Sequence, residues 1–364
     1  ARKWKQLKKT VAHSYVLTTI TAVLLFLTSQ IFAHWILSFL NTPDNIIEMS
    51  LLYLRIVFCG IPVVAAYNVF AGVLRSLGNS RTPLVAMVIA AGINIILDLI
   101  FVAGFHMGVA GAALATVIAQ CFSALYCFII VRKIEIVHIT KDDFRAVPGL
   151  NRKLLSLGTP ILFQDVIISL GGLAVQFVVN GYGFLFVAGF TATNKLYGIL
   201  EMAAISYGYA IITYVGQNLG AGQISRIKKG VHISGFLAFL TSAFISVMMF
   251  IFGKHILRMF ISGNPAQTEQ VLGIAWHYLS IMASVLCILY FLHVYRSALQ
   301  GLGDTMIPML SGVVEFFIRV GVALLLPKIM GQNGIFYAEI TAWTGAAVLL
   351  VVSYYIRIRK FRES

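Results

Sequence analysis

Ten apolar stretches separated by short polar or basic segments dominate the hydrophobic pattern of this chain. They run over 15–39, 50–73, 83–104, 108–131, 154–180, 184–215, 231–253, 270–295, 306–327 and 334–356. A helix needs about 20 such residues to cross a bilayer, and each stretch meets that length. The pattern predicts an all-α polytopic membrane protein with about ten transmembrane helices. Stretches 184–215 and 270–295 run longer, so a tilt, a kink or projection beyond the lipid is expected in them.

Composition agrees with this pattern. Hydrophobic residues make up 59% of the chain and charged residues 11%, against roughly half and a quarter in soluble domains. A soluble helical protein would have to place all this apolar surface in one core, and single cores stop growing beyond about 250–300 residues. The chain opens on a basic, Trp-containing segment, so no cleavable signal peptide is expected.

Charge placement predicts orientation. Of 27 Lys and Arg, 21 fall on one side of the predicted spans: in 1–13, near 74–82, in 132–153, in 222–230, at Arg296 and in the C-terminal tail. Lys254, Arg258 and Lys328 fall on the other side, and Arg55, Lys195 and Arg319 lie within spans. The positive-inside rule makes the basic side cytoplasmic, with both ends of the chain there. A plasma (cytoplasmic) membrane location is expected. The net charge of +14 is then accounted for by a rim beside anionic lipid, without nucleic acid.

The chain also repeats itself. QLKKTVAHS (6–14) recurs as RIKKGVHIS (226–234), YLRI (53–56) as YLSI (278–281), and LRSLGNSRTPL (74–84) as LQGLGDTMIPM (299–309). The offset stays between 220 and 225 residues, the mark of duplicated architecture. Both KK segments and both LG-x4-P turns fall on the same predicted side, so the repeats are parallel. The expected plan is an N-terminal lobe over 1–131, a cytoplasmic linker over 132–152 and a C-terminal lobe over 153–364. Four spans lie in the first lobe and six in the second, as though two helices were missing from the first copy.

These residues resemble a known family. LRSLGNSRTPL, NIILDLIF (94–101) and GVAGAALATVIAQ (108–120) look like the first lobe of multidrug and toxic compound extrusion (MATE) transporters. GTPILFQ (158–164), VNGYG (179–183), YVGQNLGAG (214–222) and ALQGLGDTMIP (298–308) look like the second. The resemblance covers nearly the whole chain in order. It implies a bundle fold of two six-helix lobes, of which this chain lacks the first two helices. It also implies export of lipophilic organic cations and drugs against a Na+ or H+ gradient, with no cofactor beyond that coupling ion.

Polar groups at membrane depth usually face a bundle interior or a water-filled cavity. In 154–180, Asp165, Ser169, Gly172, Gln176 and Asn180 share one helical face, either lining a cavity or gluing helices together. Gln164 lies one residue off that stripe, within the matched GTPILFQ pattern. In 184–215, Asn194 and Glu201 share a face. Lys195 stands at a position that is commonly basic in the resembling lobe, and a pair with Asp165 or Glu201 would be either structural or part of coupling. Glu315 and Arg319, at i and i+4, predict a structural ion pair. Glu339 has no partner nearby in sequence. Asp165, Glu201 and Glu339 are the coupling-ion candidates, with Na+ possible there; Gln164, Ser169, Gln176, Asn180, Asn194 and Lys195 are the cavity candidates. Asn94 and Asp98 share a face of 83–104, as an ion site or a solvated cap.

Other chemistry is thin. Cys59, Cys121, Cys127 and Cys287 lack metal or disulfide spacing, no P-loop pattern occurs, and no catalytic constellation stands out. No enzyme is expected. The reading is a monomeric ion-coupled antiporter for organic cations, working by alternating access in the lipid bilayer. The alternatives are a lipid-linked saccharide flippase of the same superfamily and an inactive truncated membrane protein.

Overall fold

The computed structural model describes residues 4–39 and 44–361 of the 364-residue chain. Arg2, Lys3 and Arg362, part of the basic ends, lie outside the described residues. The described residues are helical, with no strand among them. Eight helices are long and apolar enough to cross a membrane, or up to nine if one bent pair counts as a single span. The ten expected spans fall to this number partly because 306–327 and 334–356 join in one run, Met306–Lys360. Many large apolar side chains point outward, Phe177 at 82% and Met259 at 84% exposure among them, as a lipid-facing surface requires.

The chain forms two compact units, Ala1–Leu154 and Leu155–Ser364. The first contains α1 (Trp4–Phe39), α2 (Asp44–Cys59), α3 (Ile61–Ser76), α4 (Arg81–Asp98) and α5 (Gly108–Arg132). At 1.5 Å per residue, the 36 residues of α1 span about 54 Å, so its basic first turns extend past the apolar stretch. A break at Gly60, ahead of Pro62, separates α2 from α3; a Cβ at Gly60 would meet the Val57 carbonyl oxygen at 2.9 Å. A π-helical turn, Leu99–Gly104, follows α4. Val11, Leu74, Cys127 and Val131 pack together where α1, α3 and α5 meet. The connection after α5 is pinned to α1: Nδ1 of His13 lies 2.7 Å from Asn151 Oδ1, and Nε2 lies 3.2 Å from the Arg145 carbonyl oxygen.

The second unit takes up most of α6 (Leu150–Asn180), then α7 (Phe184–Gly220), α8 (Ile224–Phe260), α9 (Pro265–Ser284), α10 (Leu286–Gly301), α11 (Met306–Leu325), a short α12 (Pro327–Met330) and α13 (Tyr337–Lys360). Its core is aromatic: Phe336 stacks between Phe186 at 5.4 Å and Tyr278 at 4.9 Å, and Tyr278 stacks on Phe190 at 4.9 Å. The α9–α10 pair bends by 52°. A break at membrane depth frees carbonyls that must find donors, and the Ser246 hydroxyl donates to the Ala283 carbonyl at 2.7 Å. Arg319 on α11 reaches Glu339 on α13, while Gly345 lies against Ile318 and Val314. The partner positions thus descend along α11 as they rise along α13, so these helices run antiparallel.

The sequence repeats fold alike. Gly78 and Gly303 adopt φ of +89° and +81°, a region open to glycine because it has no Cβ. Each precedes a 6→1 helix-closing bond, from Asn79 N–H to the Leu74 carbonyl at 2.9 Å and from Asp304 N–H to the Leu299 carbonyl at 3.0 Å. Asn79 and Asp304 then each cap the next helix, accepting from Thr82 N–H at 3.0 Å and Ile307 N–H at 3.3 Å. Val11 and Val231, matched in the KK segments, are both buried.

Candidate functional site

Within the second unit, polar side chains from five helices surround a cavity of about 310 Å³. Asp165 comes from α6, Tyr197 and Glu201 from α7, His293 and Arg296 from α10, Glu315 and Arg319 from α11, and Glu339 with Trp343 from α13. Two glycines allow α6 and α11 to come close enough. A Cβ at Gly312 would meet Gln164 Cγ at 3.0 Å, and one at Gly171 would meet Arg319 Nη1 at 3.2 Å.

The centre is a chain of buried charges. Glu315, 3% exposed, bridges two guanidinium groups: it accepts from Arg296 and lies 3.5 Å from Arg319 Nη2. Arg319 Nη2 also reaches Glu339 Oε2 at 2.9 Å, while its Nη1 donates to the Ile168 carbonyl at 3.1 Å. Arg296 donates further to the Ser311 hydroxyl at 3.1 Å. Each of these contacts offsets part of the cost of burying ions.

The lining carries four carboxylates against two guanidinium groups and one imidazole. The guanidinium groups are engaged by Glu315 and Glu339. Glu201 faces His293 Nε2 at 3.5 Å and the Tyr197 hydroxyl, with no guanidinium in ion-pair reach among the described residues. Asp165 is exposed and makes no ion pair among the described residues. With every carboxylate ionised, the cavity therefore holds negative charge that the Arg residues do not balance. A cation or a proton can neutralise it there, since isolated charge in a low-dielectric setting is costly.

The expected residues divide between the cavity and other places. Asp165, Gly172, Glu201, Glu315, Arg319 and Glu339 line it together. Gln164 is buried against Gly312, with Oε1 unpartnered among the described residues. Ser169 donates to its own helix at the Asp165 carbonyl, and Gln176 donates to Asn180 at 2.7 Å. Asn194 accepts from the Tyr278 hydroxyl at 3.5 Å. Lys195 is exposed and lies outside the lining, so the pair considered with Asp165 or Glu201 is not formed. Glu339, without a partner in sequence, has one in space. Arg296, counted above with the basic rim, and His293, which no sequence pattern marks, also line the cavity. Their spacing to Glu315 and Glu201 across helices left no local signal, although His293 and Arg296 do lie one turn apart on α10.

In the first unit, Asn94 Nδ2 lies 3.5 Å from the Thr116 hydroxyl, and Oδ1 of Asp98 is buried without a hydrogen-bond partner among the described residues.

A multi-pass helical bundle with ionisable groups gathered around an intramembrane cavity is the build of a membrane transporter class, and comparison with known proteins narrows it. The MatE family model matches residues 1–100 and 160–325, and the chain belongs to that family. It is 34% identical over 236 residues to the probable multidrug resistance protein YpnP of Bacillus subtilis strain 168, covering 64% of this chain and 52% of the relative. It is 23% identical over 337 residues to the multidrug export protein MepA of Staphylococcus saprophyticus, covering 91% and 71%. The chain spans 52% and 58% of the two Bacillus subtilis relatives it matches, YpnP and YoeA. Among solved structures, a MATE protein crystallised with MaL6 superposes with a TM-score of 0.93 at 20% identity, over 100% of this chain and 82% of that one. An outward-facing multidrug resistance MATE transporter superposes at 0.90, also at 20% identity, over 98% and 80%. At that identity the likeness is one of fold.

Proposed function

We propose that this chain is an ion-coupled antiporter that exports lipophilic organic cations by alternating access. The observation that carries the proposal is the surplus of carboxylate around the second-unit cavity, where Asp165 and Glu201 lack a guanidinium partner. Na+ or H+ binds these carboxylates from the outside and favours outward release of the organic cation. Glu339, tied to Arg319, responds when the charge beside it changes. The names of the relatives, multidrug resistance and export proteins, support a drug-like substrate. The working arrangement is a monomer in the plasma membrane with its basic helix ends in the cytoplasm. Its first lobe has four membrane-crossing elements and its second six, α9–α10 counting as one. The acidic surplus argues against a flippase for a lipid-linked saccharide, whose pyrophosphate needs cationic surroundings.

The test is flux from vesicles holding the reconstituted protein and ethidium as probe cation. An imposed inward gradient of Na+ or of H+ drives ethidium against its own gradient, and the matching ionophore stops it. Ethidium movement insensitive to both gradients overturns the proposal.

A further inference from the structure

The first unit contains a second cavity, which the transport reading does not use. It is a slot of about 260 Å³ between α1, α3 and α5, close to the lower end (about 300 Å³) of ligand pockets. Its walls are almost wholly apolar, with Ala66, Val69, Phe70 and Phe128 facing Tyr15 and Ala22. The aromatic rings are in contact: Tyr15 meets Phe70 edge-on at 5.6 Å, and Phe70 lies 5.2 Å from Phe128. The Tyr15 hydroxyl is buried and has no hydrogen-bond partner among the described residues, a state that buried tyrosines usually avoid.

Cations stand beside the Phe128 wall of the slot, at the C-terminal end of α5. The exposed Arg132 holds its guanidinium carbon 5.7 Å from the centre of the Phe128 ring, and Lys133 follows it. On α1, Lys8 stands seven residues before Tyr15, on the same face and about 10 Å away along the axis. Lys9 lies beside it, and Asp143 faces both lysines. An apolar slot one to two turns along the helices from cations suits an apolar chain joined to an anionic headgroup, and basic pockets between transmembrane helices bind such headgroups.

We propose that this slot binds an anionic phospholipid. One acyl chain lies among Ala66, Phe70 and Phe128, and the phosphate sits at Arg132 with Lys8 nearby. The site belongs to the first unit alone and stands whether or not the chain transports organic cations.

Native mass spectrometry of the purified full chain tests it, with palmitoyl-oleoyl phosphatidylglycerol and phosphatidylcholine titrated separately. Phosphatidylglycerol should bind with one saturable site and phosphatidylcholine much more weakly. Arg132→Gln, at an exposed position, lowers phosphatidylglycerol affinity about fivefold, the effect of ~1 kcal/mol per cation near a charged lipid surface. Ala66→Phe fills the slot and removes the saturable site while leaving the helical circular dichroism intact. Equal binding of the two lipids overturns the proposal, as does Arg132→Gln with unchanged lipid preference. If Ala66→Phe disturbs folding, the Arg132→Gln titration decides alone.

Discussion

Glu315 holds the charged chain of the second unit together, and Glu315→Gln is the sharpest perturbation of it. The carboxylate is 3% exposed and engages both Arg296 and Arg319. At 3.5 Å and an effective dielectric constant near 20, its attraction to Arg319 is about 5 kcal/mol before desolvation is counted. Glutamine keeps the shape but turns an N–H₂ group toward guanidinium donors, leaving Arg296 with the Ser311 hydroxyl. Removing one partner of a buried pair costs roughly 3–5 kcal/mol. For a cooperative unit of about 200 residues, a melting midpoint shifts by ~2–4 °C per kcal/mol, so a fall of roughly 6–20 °C is expected. The assay is thermal unfolding in detergent at fixed salt and protein concentration. Arg296→Gln combined with Glu315→Gln removes both charges and should recover part of the loss, by about 0.5–3 kcal/mol relative to additivity. A loss under ~1 kcal/mol in the single variant, or strict additivity in the double, refutes the reasoning.

Two further outcomes are expected. Gly303→Ala forces a side chain into φ near +81° and should destabilise by about 1–3 kcal/mol, read as a lowered melting midpoint; an unchanged midpoint contradicts the strain. The Asp143 carboxylate accepts from the Thr140 N–H at 2.8 Å and its hydroxyl at 2.9 Å. The backbone bond, helped by the hydroxyl and by Lys8 and Lys9 against the opposing effect of burial, holds its pKa below the usual value. A depressed carboxylate stabilises above the ordinary range near ~4 and loses that contribution as pH falls through the lowered value. Exchange protection of the Thr140 amide, corrected for intrinsic rate, should therefore persist at neutral pH and vanish only below the ordinary range; pH-independent protection contradicts this.

How much of the molecule could be read from sequence depends on whether the signal was local. The apolar runs and the repeated LG-x4-P turns are local signals. Gly78 and Gly303 share one backbone conformation because their flanking residues demand the same helix stop and restart. Glu315 and Arg319 are one turn apart, and their contact followed from that spacing. Glu339 looked unpartnered because its guanidinium lies on α11, outside its own helix. Arg296 looked like a cytoplasmic rim charge because it sits near the end of an apolar run, yet the α9–α10 bend and the approach of α11 bury it against Glu315. Lys195 went the other way: a cation inside an apolar run suggested burial, but its face of α7 points away from the cavity. Helix faces are legible from a sequence, whereas the partner each face meets is fixed by packing between helices.

The central claim is that Asp165 and Glu201 bind the ion that drives export. Gradient-driven ethidium efflux in vesicles, compared among the wild type, Asp165→Asn and Glu201→Gln at matched amounts of folded protein, tests it most directly. The account predicts that each substitution abolishes efflux under the imposed Na+ or H+ gradient; normal efflux by both variants would contradict it.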